Sequence, residues 1–102
     1  MQGLTIFPTL PPHTTMLDLS YDNLSDLSYS SLDVAKQNYG ELTGLILSQN
    51  QLSAIHTKLT KLKLHRVFKA DHNNIAEIPY DFCLLLQSYP KNKIMLGHNM
   101  WR

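Results

Sequence analysis

The sequence has one cysteine, four glycines and no long apolar stretch, and these shortages exclude several classes of protein. With Cys83 alone, the chain holds no internal disulfide and no cysteine-based zinc or redox site. Its apolar runs span only a few residues, as at Cys83–Leu86, whereas a membrane-spanning helix needs roughly 20. Pro8, Pro11 and Pro12 interrupt the N-terminal residues, so we expect no signal peptide within them.

An excess of charge of either sign is also missing. Nine basic and eight acidic side chains give a formal net charge of +1, which provides no general attraction to nucleic acid or to an anionic membrane. We therefore expect no nucleic-acid partner and no membrane insertion. The length of 102 residues, 43% of them hydrophobic, predicts one domain with a core of its own.

Leucine, by contrast, is abundant, and it recurs in a pattern. Residues 42–55 match L-x-x-L-x-L-x-x-N-x-L at every fixed position, with Asn50 as the asparagine. Period-two alternation within this unit directs Leu45 and Leu47 inward and Ile46 outward, as in a half-buried strand. Asparagine after a strand satisfies backbone groups that a tight turn leaves unpaired.

The same frame fits three further segments, at residues 17–27, 68–79 and 94–101. Their asparagine positions are spaced by 28, 23 and 26 residues, within the usual range of roughly 20 to 29 for this repeat, and are occupied by Asp22, Asn50, Asn73 and Asn99. Stacked in order, these side chains would form a buried polar column. The end at Asp22 is expected to be less well satisfied, because an ionised carboxylate donates no hydrogen bond.

On these motifs the chain resembles the leucine-rich repeat proteins, from about residue 14 to its end. The resemblance implies an α/β fold, a short solenoid with a parallel concave sheet of about four strands and irregular or short-helical convex returns. Residues 1–13 would lead into the first repeat, and residues 14–102 would form about four repeats without a C-terminal cap. The segments 8–24 and 96–102 look like the two ends of extracellular, Toll-type receptor ectodomains. The resemblance thus implies a fragment of a longer extracellular or cell-surface protein.

The exposed positions of such a sheet form the candidate binding surface. Methionine and aromatic side chains with a polar rim are typical of protein-binding patches, and family members bind through this surface. Met16, Ile46, Val67 and Met95 are expected to form a mildly apolar stripe. The predicted partner-binding residues are Met16, Asp18, Tyr21, Ile46, Gln49, Val67, Lys69, Asp71, His72, Met95 and His98. The alternative is a tolerated, functionless sheet face.

Histidines 72 and 98 occupy equal positions of consecutive repeats, and Asp71 is adjacent. Two imidazoles and a carboxylate can hold a metal or respond to acid, but solvated side chains are the simpler interpretation, and no metal is assigned. No phosphate-binding glycine loop, G-x-S-x-G or H-E-x-x-H motif occurs. We therefore expect neither enzymatic activity nor a cofactor.

The connecting segments give further expectations. Residues 81–89 suit a short helix with Asp81 as its N-cap, and Cys83 is expected to be a buried thiol. The alternation of leucine and base over 58–66 predicts an extended or irregular return, with its leucines in the core and its bases on a solvated convex face. The alternative is that these bases contact phosphate or heparin-like anions.

The ends of so short a stack lead to the final expectations. Unless residues 1–13 and Trp101 cover the terminal repeats, exposed apolar surface favours self-association. The sequence therefore predicts a non-catalytic module that binds a protein on its sheet. The alternative is a truncated fragment that associates with or caps a longer leucine-rich repeat protein.

Overall fold

A computed structural model describes residues 3–90 and 93–99 of the chain, built around a parallel sheet of four short strands. The strands lie side by side in chain order, so each crossover returns the chain to the next position in the sheet. The expected parallel sheet of about four strands is confirmed. Its strands are β1 (Met16–Asp18), β2 (Gly44–Ile46), β3 (Val67–Lys69) and β4 (Ile94–Met95).

Alternating burial explains why these segments are strands. Leu17, Leu45 and Phe68 are at most 4% exposed and face the core, as the sequence pattern predicts. The three residues are also directly paired across β1, β2 and β3, so they pack as one row. A shift of one residue in any strand would turn its buried side chain toward solvent, which fixes the register.

Three helical turns connect the strands on the other side of the core. The first two are 3₁₀ helices at Asp26–Ser31 and Thr57–Lys61, and the third is the α-helix α1, Tyr80–Ser88. The segment 58–66 begins in the second 3₁₀ helix and continues without regular structure, so of the two expected forms it is the irregular one, and its three leucines are buried as expected. Helix α1 packs against the second 3₁₀ helix.

Two expectations about α1 are wrong. The N-cap lies two residues earlier than predicted, since Pro79 occupies it and Asp81 lies in the first turn. Cys83 is exposed, since Phe82 occupies the fully buried position of this helix and the next residue along a helix points elsewhere. The local apolar composition did not distinguish the two faces of α1.

None of the helices in the described residues has the length and apolar character that a membrane span requires.

The N-terminal segment covers the β1 end of the core. Phe7 is fully buried, and its ring stacks on Tyr29 with 5.5 Å between the ring centroids. The Tyr39 hydroxyl donates a hydrogen bond of 2.7 Å to the Pro8 carbonyl, and Leu10 is only 6% exposed. This end of the sheet is therefore not the open apolar surface that would promote association.

The opposite end is less enclosed. Leu85 and Leu86 of α1 are half-buried, as is Ile94 of β4. By contrast, Leu45 and Phe68, which lie in the same row as Ile94 on the central strands, are inaccessible to solvent. Trp101, which was considered as a cover for this end, lies outside the described residues.

Asparagine side chains join each turn to the previous one. Asn50 Oδ1 accepts a hydrogen bond from the Leu24 amide at 3.0 Å, and its Nδ2 donates to the carbonyls of Leu19 and Leu47 at 2.9 and 3.0 Å. Asn73 and Asn99 make the corresponding contacts one and two strands further on. The expected column of polar side chains is thus present, and its amides hold successive strands at a constant offset.

Asp22 is the exception in this column. It is 3% exposed, and its Oδ1 accepts from the Leu4 amide at 2.9 Å. Its Oδ2 is buried and has no hydrogen-bond partner among residues 3–90 and 93–99. This oxygen corresponds to the donor nitrogen of the asparagines, so a carboxylate leaves the site half satisfied, as the sequence predicts.

Replacing Asp22 by asparagine should therefore stabilise the protein. In Asp22→Asn the new Nδ2 is expected to donate to the Leu19 carbonyl, as Asn50 does to Leu47, and to raise the free energy of unfolding by about 1 kcal/mol. Urea denaturation followed by circular dichroism measures the change. The reciprocal control, Asn73→Asp, should destabilise the protein, and equal stability of Asp22→Asn and the parent would contradict this account.

Candidate functional site

The solvent-facing side of the sheet, with the turn residues that follow each strand, forms the candidate site. We call this surface the open face. Met16, Tyr21 and Met95 are 46%, 62% and 47% exposed on it, and so are three of the seven large hydrophobic side chains that the described part of the fold leaves exposed. The structure brings all eleven predicted residues together here, but Asp71 is only 9% exposed, so the expectation that it is exposed is wrong. The eleven are Met16, Asp18, Tyr21, Ile46, Gln49, Val67, Lys69, Asp71, His72, Met95 and His98.

The apolar side chains do not form the single stripe that was expected. Strand pairing sets Met16 and Val67 on either side of Gly44, while Ile46 and Met95 flank Lys69 in the next row. A Cβ at position 44 would clash with Met16 Sδ and lie 2.8 Å from Val67 Cγ1, so these two side chains close over the glycine. The apolar surface is therefore two short patches with a lysine between the second pair.

One half of the open face is basic. A shallow cavity of about 600 Å³ lies at the N-terminal ends of the strands, and we call it the basic pocket. Within the described part of the chain, none of its three permanent cations makes a side-chain hydrogen bond or ion pair. The lining residues are Met16, Ile46, His65, Arg66, Val67, Lys69, Pro90 and Lys93.

The other half is acidic and polar. Asp18 Oδ1 accepts hydrogen bonds from the hydroxyl and the amide of Ser20 at 2.6 and 2.9 Å. These two bonds, the hydroxyl first, hold the pKa of the Asp18 carboxyl below its usual value, with a smaller contribution from Lys69. Asp18 therefore remains ionised beside Lys69 at neutral pH.

Asp71 is the second carboxylate of this half. Its Oδ1 accepts from the Ser48 hydroxyl at 2.6 Å, and its Oδ2 from His72 Nδ1 at 2.8 Å. Burial acts to raise the pKa of Asp71, but the bonds from Ser48 and His72 outweigh it, so the pKa lies below its usual value. Both oxygens are thereby used within the protein.

Four residues that end this half share an unusual backbone conformation. Tyr21, Gln49, His72 and His98 have φ angles of 59°, 61°, 56° and 55°, in the left-handed region that few non-glycine residues adopt. The amides of Tyr21, Gln49 and His72 each donate to a carbonyl in the turn after the next strand, which holds them there. Sequence reasoning missed this conformation, for which only the equal position of the four residues was a signal.

The two position-equivalent histidines are neighbours, as predicted. The rings of His72 and His98 stack with 4.2 Å between centroids and 19° between planes. Among residues 3–90 and 93–99, no group of three histidine, cysteine or acidic side chains is arranged to hold a metal. Asp71, the third ligand considered, is already bonded through both oxygens.

The basic run at 58–66 does not form one surface. The Lys58 ammonium donates to the carbonyls of Tyr29 and Leu32 at 2.8 and 2.9 Å, and so fixes the end of the first 3₁₀ helix. His65 and Arg66 instead line the basic pocket on the open face. The expectation of one solvated convex face is therefore wrong for these two residues, since Arg66 lies directly before β3.

Arg66 and Lys93 are thus the functional candidates missing from the sequence-based set. Arg66 lies directly before β3 and Lys93 directly before β4. The two residues are far apart in the sequence, and the pairing of β3 with β4 brings them to one cavity. Lys93 is two residues from the exposed Met95, and this spacing of two was a usable signal in the sequence.

No protein-family model, curated protein or solved structure matches this chain.

The serine hydroxyls should control the two carboxylates separately. Ser48→Ala is expected to raise the pKa of Asp71 toward the unfolded value and leave that of Asp18 unchanged, while Ser20→Ala does the reverse. Carboxyl ¹³C NMR titration measures both. A lowered folded-state pKa stabilises the protein above the unfolded pKa, and this stability is lost as pH falls through the folded pKa. Ser48→Ala should therefore lose less stability in acid than the parent, and an unshifted Asp71 would refute the assignment.

Proposed function

We propose that the chain is a leucine-rich repeat module that binds a protein partner on the open face and performs no catalysis. The repeat assignment is supported by the L-x-x-L-x-L-x-x-N-x-L frame and by the equal bonding of Asn50, Asn73 and Asn99 in successive turns. An extracellular or cell-surface parent protein belongs to the same proposal and rests on the resemblance alone.

The observation that carries the binding proposal is the exposure of Met16, Tyr21 and Met95 on a hydrogen-bonded sheet. Burying such side chains against a partner releases apolar surface from water, while the surrounding charged and amide groups supply specificity. The backbone beneath them is already ordered, so binding would cost little conformational entropy in the sheet.

Association with another leucine-rich repeat protein, or with a second copy, is the second candidate. It is favoured by α1, where Leu84 is 47% exposed and Leu85 and Leu86 are half-buried. Because Phe7 and Leu10 cover the β1 end, this proposal is confined to the end formed by α1 and β4.

The open-face proposal can be tested by site-specific photo-crosslinking. A benzophenone amino acid at position 95 should crosslink a protein partner in cells or secretions that express the chain, while the same group at the exposed Lys63 should not. With the purified partner, Tyr21→Ala and Met95→Asp should each weaken binding at least tenfold, as expected of hot-spot side chains. Lys63→Ala is the matched control.

Equal crosslinking from positions 95 and 63, or unchanged affinity of both open-face variants at an unchanged melting temperature, would reject binding through the open face.

The end-association proposal predicts concentration-dependent mass. Light scattering after size exclusion should show larger species as the protein concentration rises, and Leu84→Glu should shift the protein to a monomer because a charge cannot be buried in an apolar contact. Leu27→Glu, at a residue 86% exposed on the first 3₁₀ helix, is the matched control and should not change the mass. A parent protein that stays monomeric at all concentrations would rule out self-association.

A further inference from the structure

We infer that the basic pocket receives an acidic side chain of the protein partner, together with an apolar side chain two residues away in an extended segment. This inference rests on the proposed function, and it names the chemistry of the segment that the open face would bind.

The cations of the basic pocket make no direct ion pair within the described residues, and only Lys69 interacts at longer range with a carboxylate, that of Asp18. In the described ranges, the ion pairs are His13–Glu41 and His72–Asp71, and neither involves a side chain of the pocket. The two carboxylates of the open face are bonded to serines and to His72. The cations are therefore available for a ligand, and a carboxylate among Arg66, Lys69 and Lys93 would gain charge-assisted hydrogen bonds.

The floor of the pocket is apolar, which a site for a bare inorganic anion does not require. Met16 and Val67 close over Gly44, and Ile46 continues this surface in the next row. An aliphatic side chain of the partner placed on this floor would bury apolar area, while the acidic side chain two residues away contacts the cations. The pocket thus has an apolar floor and a set of cations, which complement the apolar and acidic side chains of an amphipathic peptide.

Charge along the open face distinguishes a peptide from a polyanion. Asp18 lies in the same row as Lys69, on the far side of Ile46, and Asp71 lies two residues beyond Lys69 along the strand direction. A chain of phosphates or sulfates that continued from the basic pocket across this row or along the strands would therefore meet a carboxylate. No phenylalanine, tyrosine or tryptophan side chain lines the described pocket, and base stacking on such rings is how proteins hold single-stranded nucleic acid without sequence preference. One local negative charge fits this surface better than a continuous run.

The spacing follows from extended-chain geometry. Alternate side chains of an extended peptide point the same way and are about 6.6 Å apart, at about 3.3 Å per residue. An acidic residue and an apolar residue separated by one other residue would therefore both face the pocket. The inferred recognition element is acidic-x-apolar.

A defined peptide tests this element. The probe is the end-blocked decapeptide Gly-Ser-Glu-Ser-Leu-Ser-Glu-Ser-Leu-Gly, titrated into the ¹⁵N-labelled full chain at 0.15 M salt. Amide shifts should change at Ile46, Val67 and Lys69 and give a dissociation constant. The same peptide with Gln for Glu should bind at least tenfold more weakly.

Charge reversal locates the contact. Arg66→Glu and Lys69→Glu should each weaken binding of the acidic peptide at least tenfold, whereas Lys63→Glu, which alters net charge equally, should change it less than twofold. Arg66→Gln and Lys69→Gln should weaken it less than the reversals and cover the case in which a reversal fails to fold. Melting temperatures of all variants establish that each is folded.

Several results would overturn the inference. These are equal binding of the Glu and Gln peptides, equal effects of Arg66→Glu and Lys63→Glu, and tighter binding of oligothymidylate or heparin that displaces the peptide. Binding measurements with the crosslinked partner distinguish failure of this inference from failure of the proposed function. If Met95→Asp loses partner binding and Arg66→Glu does not, binding through the open face is supported and recognition of an acidic segment is refuted. If neither variant loses partner binding, both proposals are refuted.

Discussion

The fold depends on side-chain amides that satisfy buried backbone groups where each strand turns. Asn50, for example, accepts from the amide of Leu24 and donates to the carbonyls of Leu19 and Leu47, so it bonds two turns at once. Such groups are costly to bury unpaired, and an amide supplies a donor and an acceptor at one point. Each of these asparagines also donates a hydrogen bond to a carbonyl at the end of the previous strand. The position of one strand relative to the next is therefore set by these side-chain bonds as well as by the backbone hydrogen bonds of the sheet.

A constant offset has consequences for the surface. Buried side chains of successive strands stack on one another, and the outward side chains form rows whose neighbours come from different parts of the chain. The left-handed residues after the strands, such as Gln49 and His72, then lie at one edge of the open face. A hydrogen-bonded backbone thereby presents a basic half and an acidic half that need not rearrange to meet a partner.

The two ends of the sheet differ for a physical reason. At the β1 end, Asp22 interrupts the column of amides, but the N-terminal segment supplies the Leu4 amide as a donor and buries Phe7 against Tyr29. At the β4 end Leu85, Leu86 and Ile94 remain half-buried. Contacts with other proteins are therefore expected on the open face or at this second end, which are the two functional proposals.

The sequence by itself determined what repeats locally. Alternation of leucine with polar residues and the recurrence of Asn50, Asn73 and Asn99 predicted four strands, their register and the outward residues, because strand period and turn chemistry are properties of neighbouring residues. Only the tertiary structure decided which distant residues meet. Arg66 and Lys93 join Met16 in one pocket through strand pairing, and Cys83 is exposed because α1 buries Phe82 instead. Those outcomes depend on packing between segments more than twenty residues apart, or on which helix face the core selects, and a local pattern contains neither.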